Sequence, residues 1–349
     1  MKVGKKTQTS INQDEKSEID FYQSIFDLIQ YAKRNLEKQV NTTMVVTYYE
    51  IGRRIIEKEQ QGAKRAQYGK KVLQGLSDYL TKHLGKGYSV DNLKLMRRFY
   101  VVYSTVTPIG ETLFHQFNSN ITWSHYILLT RISNLEERRF YEIEIVENAW
   151  SFREFQRQYD SSLYERLALS RNKKKVRQLA TKGQIINAPQ DLLKDPYVLE
   201  FTGLPERAVY TENDLEQKLI DHLQQFLLEL GKGFAFIGRQ ARFTYEEESF
   251  FVDLVFYNRL LKCFVLFDLK IGRLKPQDIG QMQMYVNYYD RKVKLPDENP
   301  TIGIVLCRDK KDAMVEMMLP EKNKRIFASM YKTILPSKDE LKRLLNSEK

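Results

Sequence analysis

Two stretches decide how this chain reads: Phe250-Phe251-Val252-Asp253-Leu254-Val255-Phe256-Tyr257 and Cys263-Phe264-Val265-Leu266-Phe267-Asp268-Leu269-Lys270. Both are rich in β-branched and aromatic residues and are bounded by polar, turn-like segments, which is the pattern of strands. Strand side chains alternate between faces. Asp268 and Lys270 therefore share a face with Phe264 and Leu266, while Cys263, Val265, Phe267 and Leu269 take the other. A strand apolar on both faces is a central strand. Burying an Asp and a Lys at its end is costly unless they are paired or bind a metal. Asp253 has the same kind of surroundings. Adjacent strands can bring Asp253 and Asp268 within a few ångströms, where two carboxylates repel unless a cation lies between them. Hard oxygen ligands of that kind suit Mg²⁺ or Mn²⁺ rather than zinc.

Working outward, residues 214–230 read as one amphipathic helix ended by Gly231 and Gly233. Strands are expected over 234–245, 250–258 and 263–270. The short connections at 246–249 and 259–262 make them an antiparallel meander. Pro276 opens a helix running to about residue 290, and Gln281 and Tyr285 lie one turn apart on one of its faces. An apolar strand at 301–307 and a helix at 309–319 complete the order α-β-β-β-α-β-α.

The N-terminal half is helical by periodicity, from Phe21, Ile25, Leu28 and Ile29 onward. Ser89 is positioned to cap a basic helix carrying Lys94, Arg97 and Arg98. A helix, a glycine-containing turn and a basic helix together resemble a helix-turn-helix. Trp123 and Trp150 read as core anchors. Between Arg166 and Lys182 there is no acidic residue, and Lys173, Lys174, Lys175 and Arg177 form the densest basic run. Such a run is either a solvated linker or a strip of phosphate contacts. The expected organisation is a disordered tail over 1–16, a helical domain over 17–183 that binds DNA or a partner, a linker over 184–205, and a second domain over 206–349.

The chain has 349 residues and a net charge of +11, with 56 Lys and Arg against 45 Asp and Glu, which points to a polyanionic partner. No apolar run is long enough for a membrane span, and the polar N-terminus lacks a signal-peptide core. A cytoplasmic protein is expected. Two cysteines, Cys263 and Cys307, exclude a disulfide framework or a Cys-rich zinc site, and four dispersed histidines argue against a His cluster. Oligomeric state is left open, a homo-oligomer included.

An Asp on one strand, then Asp-x-Lys on the next, resembles the PD-(D/E)XK nuclease superfamily. The words Phe250–Tyr257, Asp268-Leu269-Lys270-Ile271-Gly272, Phe226–Gly231 and Thr301-Ile302-Gly303-Ile304-Val305-Leu306-Cys307 resemble its YhcG family. Trp123-Ser124-His125-Tyr126 and Trp150-Ser151-Phe152-Arg153-Glu154 resemble that family's helical domain. The resemblance implies an α+β chain, with an all-α N-terminal domain before a restriction-endonuclease-like α/β domain on a mixed sheet. It implies a bacterial, metal-dependent phosphodiesterase acting on nucleic acid, DNA above all. Asp253 and Asp268 would ligate Mg²⁺ or Mn²⁺, with the Leu269 carbonyl as a further ligand and Lys270 beside the attacking water. Glu216 would be the helix glutamate that many members add, ahead of Glu212 and Glu229. Gln281 and Tyr285 match a Q-x-x-x-Y word found in some members. Val252 stands where a proline is common and Asp268 where Glu is more usual, one methylene shorter. The alternative is a nuclease fold of weak or no activity that binds nucleic acid or serves as an adaptor in a DNA-modification, repair or defence system.

Overall fold

A computed structural model describes residues 13–61, 66–105, 117–169, 173–207, 209–320 and 323–347. The chain forms two compact units, Met1–Arg131 and Ile132–Lys349.

The first unit holds α1 (Gln13–Gln61), α2 (Ala66–Leu84), α3 (Val90–Ser104) and α4 (Trp123–Leu129). The first twelve residues of the expected tail lie outside the described residues, and α1 begins at Gln13. Ser89 caps α3 by accepting from the Asn92 amide at 3.3 Å. The backbones of α1 and α3 approach closely at Gly52, where a Cβ would stand 2.2 Å from the Met96 carbonyl oxygen. Around this crossing Ile55, Leu73, Leu93 and Met96 form a core, and Trp123 packs on Tyr48 and Phe99.

The second unit begins with α5 (Leu135–Glu147), α6 (Phe152–Asp160), α7 (Leu163–Leu169) and α8 (Lys173–Lys182). These helices, expected with the N-terminal half, belong to the same compact unit as the sheet. Arg157 and Arg166 make salt bridges to Glu229 within this unit, which begins at Ile132. The expected linker is itself folded, with a helical turn at Pro189–Leu192 and strand β1 (Tyr197–Val198). Residues 214–230 make two helices, α9 (Glu212–Asp221) and α10 (Leu223–Leu230), because His222 leaves helical angles at φ −116° and ψ 36°. Then come β2 (Phe234–Tyr245), β3 (Glu248–Asn258), β4 (Cys263–Arg273), α11 (Pro276–Tyr288), β5 (Ile302–Asp309), α12 (Asp312–Met318), β6 (Ile326–Lys332) and α13 (Lys338–Ser347).

The sheet order is β1-β6-β5-β4-β3-β2. The meander β2-β3-β4 is antiparallel, and β4, β5, β6 and β1 run parallel. One face packs Phe256, Phe267 and Leu269 against Leu219 and Phe226 of α9 and α10. The other packs Val255, Leu266 and Val305 against Ile279, Met282 and Tyr285 of α11. Both faces of β4 are thus covered, as its two-sided apolar pattern requires.

The β2–β3 ribbon changes face halfway. Leu254 and Phe256 belong to the first core, whereas Phe250 and Val252, of the same parity along β3, belong to the second. A register shift between Phe236 and Gly238 and a left-handed Gln240 (φ +46°) accompany the switch. Bulged, strongly twisted strands re-aim side chains in this way.

Candidate active site

Asp253 sits where the ribbon switches face. Pairing of β3 with β4 is regular up to Leu254 with Phe267, so one further step sets Asp253 against Asp268. The ladder opens at that step, and the Asp253 carboxylate takes over. Its Oδ2 accepts from the Leu269 amide at 2.7 Å, and its Oδ1 accepts from Gln240 Nε2 at 3.2 Å. Gln240 Nε2 also donates to Glu216 Oε2. One amide thus bridges a helix glutamate and a strand aspartate. Glu216 is buried on α9, and burial raises its pKa, with Asp253 adding to the rise and Gln240 opposing it. Burial likewise raises Asp253, against the Leu269 amide, Lys270 and Gln240.

Asp268 is 1% exposed. Lys270 Nζ pairs with its Oδ2 at 2.9 Å. Burial pushes the carboxyl up to about 7, and Asp253 adds to the rise against the pull of Lys270. At Lys270 burial opposes the charge, but Asp268, Glu212 and Asp253 outweigh it and raise the pKa. Glu212 Oε2 is 3.8 Å from Lys270 Nζ. On α11, Gln281 Nε2 donates to the Tyr285 hydroxyl, whose pKa rises by burial and by the nearby Asp268 and Asp253.

Asp253, Asp268, Lys270 and Glu216 therefore converge, and Tyr285 with Gln281 borders them from the helix. Leu269 contributes its amide to Asp253. Gln240 escaped the sequence reading, since a left-handed glutamine inside a strand has no short-range signature. The one clue, its register position opposite Asp253, needs the pairing itself. Glu229 belongs elsewhere, in a buried cluster with Arg166, Arg157 and Lys194. Lys94, Arg97 and Arg98 lie in the first unit and each has an intrachain partner: Asp91, Glu59 and the Thr130 carbonyl. Lys173, Lys174 and Lys175 open α8, but their side chains lie outside the described residues; Arg177 is exposed. Both cysteines are buried and free, and no helix among the described residues is long and apolar enough to cross a membrane.

The donor set suits a hard cation in one respect: two converging carboxylates are both destabilised as anions by burial. Among the described residues no three His, Cys, Asp or Glu side chains stand close enough to hold a metal by themselves. A cation would therefore rely on Asp253, Asp268 and a backbone carbonyl.

A mixed sheet with acidic residues meeting at the diverging ends of β3 and β4, and Asp-x-Lys on β4, defines a restriction-endonuclease-like nuclease domain of the PD-(D/E)XK type. Residues 190–346 match the YhcG PDDEXK nuclease domain, and residues 24–166 match the DUF1016 N-terminal domain. The chain is 38% identical over 348 residues to the Escherichia coli (strain K12) protein named "Putative nuclease YhcG", with 92% of each chain covered. The chain belongs to the YhcG family. Two solved structures also align, each with 38% of this chain at 14% identity: a repair endonuclease from Pyrococcus abyssi, at TM-score 0.24, and an EndoMS–dsDNA complex, at 0.25. The alignments span about half the length of those two chains.

Proposed function

We propose that the chain hydrolyses phosphodiester bonds of DNA with the help of Mg²⁺ or Mn²⁺, held by Asp253, Asp268 and the Leu269 carbonyl, with Glu216 tied to Asp253 through Gln240. The observation that carries this reading is Asp268: a buried carboxylate paired with Lys270 at 2.9 Å and pushed up to about 7 by burial and by Asp253. The bound cation would supply Lewis-acid polarisation of the phosphoryl oxygens. Lys270 keeps its proton, so its Nζ can donate to the attacking water and to the charge that develops on the phosphoryl group. The water oxygen forms the new bond to phosphorus as the ester P–O bond breaks, leaving a phosphate on one end and a hydroxyl on the other. Gln240 positions Asp253 by donating to it and to Glu216. The net charge of +11 supports a polyanionic substrate.

The rival reading is a nuclease fold that binds nucleic acid without cutting it. It draws on the Asp268–Lys270 ion pair, which already answers part of the buried charge. Digestion of labelled single-stranded, duplex and branched DNA and of RNA, with Mg²⁺, Mn²⁺ or chelator, separates the two. Cleavage of DNA that needs the cation is expected. Cleavage undiminished by chelator would overturn the metal role, and binding without cleavage under every condition would favour the rival.

A further inference from the structure

Beyond the point where the β2–β3 ribbon changes face, Ala241, Phe243, Phe250 and Val252 turn to the core against α11. Phe251 lies between two of them on β3, so its ring points to the other side. It is 45% exposed and belongs to neither core of the sheet. Among the described residues no aromatic ring packs on it, whereas its neighbour Phe250 stacks on Phe243 at 5.4 Å. Arg242 is its cross-strand partner in the ladder. That guanidinium is exposed, donates to Ser249 Oγ at 2.9 Å, and has no carboxylate partner among the described residues. Cβ atoms paired in this way stand about 5 Å apart. An open ring and a cation without a counter-charge therefore share one side of the ribbon.

Their distance from the active site gives the pair a use. Phe251 stands two residues along β3 from Asp253, and Arg242 two along β2 from Gln240, which donates to Asp253. Two strand residues span roughly 7 Å, so a phosphate held at Asp253 and Asp268 brings the neighbouring nucleotide to Phe251. A cation beside an aromatic face is how proteins bind single-stranded nucleic acid: the cation meets the phosphate and the base stacks on the ring. Glu246, Glu247 and Glu248 at the tip of the ribbon repel phosphate, so the platform ends there.

Magnitudes select the substrate. Stacking one base on an aromatic side chain strengthens binding roughly 5- to 150-fold. In a paired duplex both faces of each base are covered, and opening a step costs a factor of about the same order. The ring gains little on intact duplex and has its full effect on a base that is already unpaired.

We propose that Phe251 with Arg242 forms a stacking platform beside the active site, which directs cleavage to DNA carrying an unpaired nucleotide next to the scissile phosphate. This rests on the nuclease reading and names the substrate of that same site.

One sequence, offered to the full chain as a single strand and as a fully paired duplex, tests it, with Mg²⁺ for cleavage and with chelator for binding by fluorescence anisotropy. Wild type should cleave the single strand with kcat/KM at least about tenfold above the duplex. Phe251→Ala, and Phe251→Leu, which keeps apolar bulk without a π-face, should each lower that ratio at least about tenfold. Phe251→Trp should keep it. A duplex cleaved as fast as the single strand overturns the proposal, and so does a ratio that Phe251→Leu leaves unchanged. A loss shared by Phe251→Trp also overturns it, because the residue would then matter by shape rather than by stacking. If no substrate is cleaved, the nuclease reading fails and the binding arm decides the platform alone. A wild-type preference for the single strand that Phe251→Leu removes and Phe251→Trp keeps upholds it, and affinities indifferent to Phe251→Leu overturn it.

Discussion

Glu229 and Asp268 are both carboxylates of the second unit, 0% and 1% exposed, yet they are held in opposite states. Glu229 receives Arg166 Nη1 at 2.5 Å and the Val198 amide at 3.0 Å on one oxygen, and Arg166 and Arg157 on the other. Burial works against its charge, but Arg166, Lys194 and Arg157 hold its pKa down to about 2. Asp268 has Lys270 beside it at 2.9 Å and no arginine pair of that kind, and burial pushes it up to about 7. A fully satisfied buried charge joins elements together. A partly satisfied one is poised for something further to bind, and perturbed groups of that kind concentrate at functional sites.

The largest expected effect is on cleavage. Asp253→Ala and Lys270→Ala should each reduce single-turnover DNA cleavage by at least about a thousandfold, while thermal unfolding stays within a few degrees of wild type. Wild-type cleavage by either variant would break the comparison at its functional end. Glu229→Gln should do the reverse. It leaves the buried Arg166 short of its counter-charge, with the half-buried Arg157 still held by Glu200, and should lower unfolding stability by about 3–5 kcal/mol in denaturant titrations. An unchanged midpoint would mean that the cluster does not bind the helices at 152–169 to the helix that carries Glu229.

Proton linkage sharpens the contrast. In metal-free buffer the folded state keeps the Asp268 proton up to about 7, while the unfolded chain releases it near 3.8. The folded state binds the extra proton in that window, so its contribution to stability falls as pH rises from about 4 to 7. Asp268→Asn should remove this slope and stabilise the apo protein near neutrality by about 1–2 kcal/mol. Glu229 has the opposite sign: its contribution is present above 4.5 and is lost as pH falls toward 2. Matching pH–stability curves for wild type and Asp268→Asn would sink the assignment. The smallest effect belongs to Gln240→Ala. Losing the bridge between Glu216 and Asp253 should raise the half-saturating Mg²⁺ concentration for cleavage about tenfold with little change in folding. A fall in the maximal rate at saturating Mg²⁺ with no shift in metal dependence would argue against a positioning role.

Much of this site was legible from side-chain periodicity. Alternation along 263–270 put Asp268 and Lys270 on one face, and they stand 2.9 Å apart. The stripe of 214–230 put Glu216 at a buried edge, though the helix breaks at His222, where each half packs separately on the sheet. Helical spacing also paired Gln281 with Tyr285. Long-range packing was not legible in the same way. β1 is two residues long and exists by pairing with β6, 134 positions away at Tyr197 and Tyr331. Neither strand of that pair was expected.

Composition and local pattern determined the strands of the meander, the acidic pair, the Asp-x-Lys word and the basic balance, because each depends on residues a few positions apart. Tertiary structure alone decided that the helices at 135–182 share a compact unit with the sheet, where arginines meet Glu229 across 63 and 72 positions. It alone decided that Gln240 lies between Glu216 and Asp253. A twisting ribbon turns that side chain by a positive φ, and a backbone angle of that kind is set by the packing on both faces of the sheet rather than by the glutamine itself.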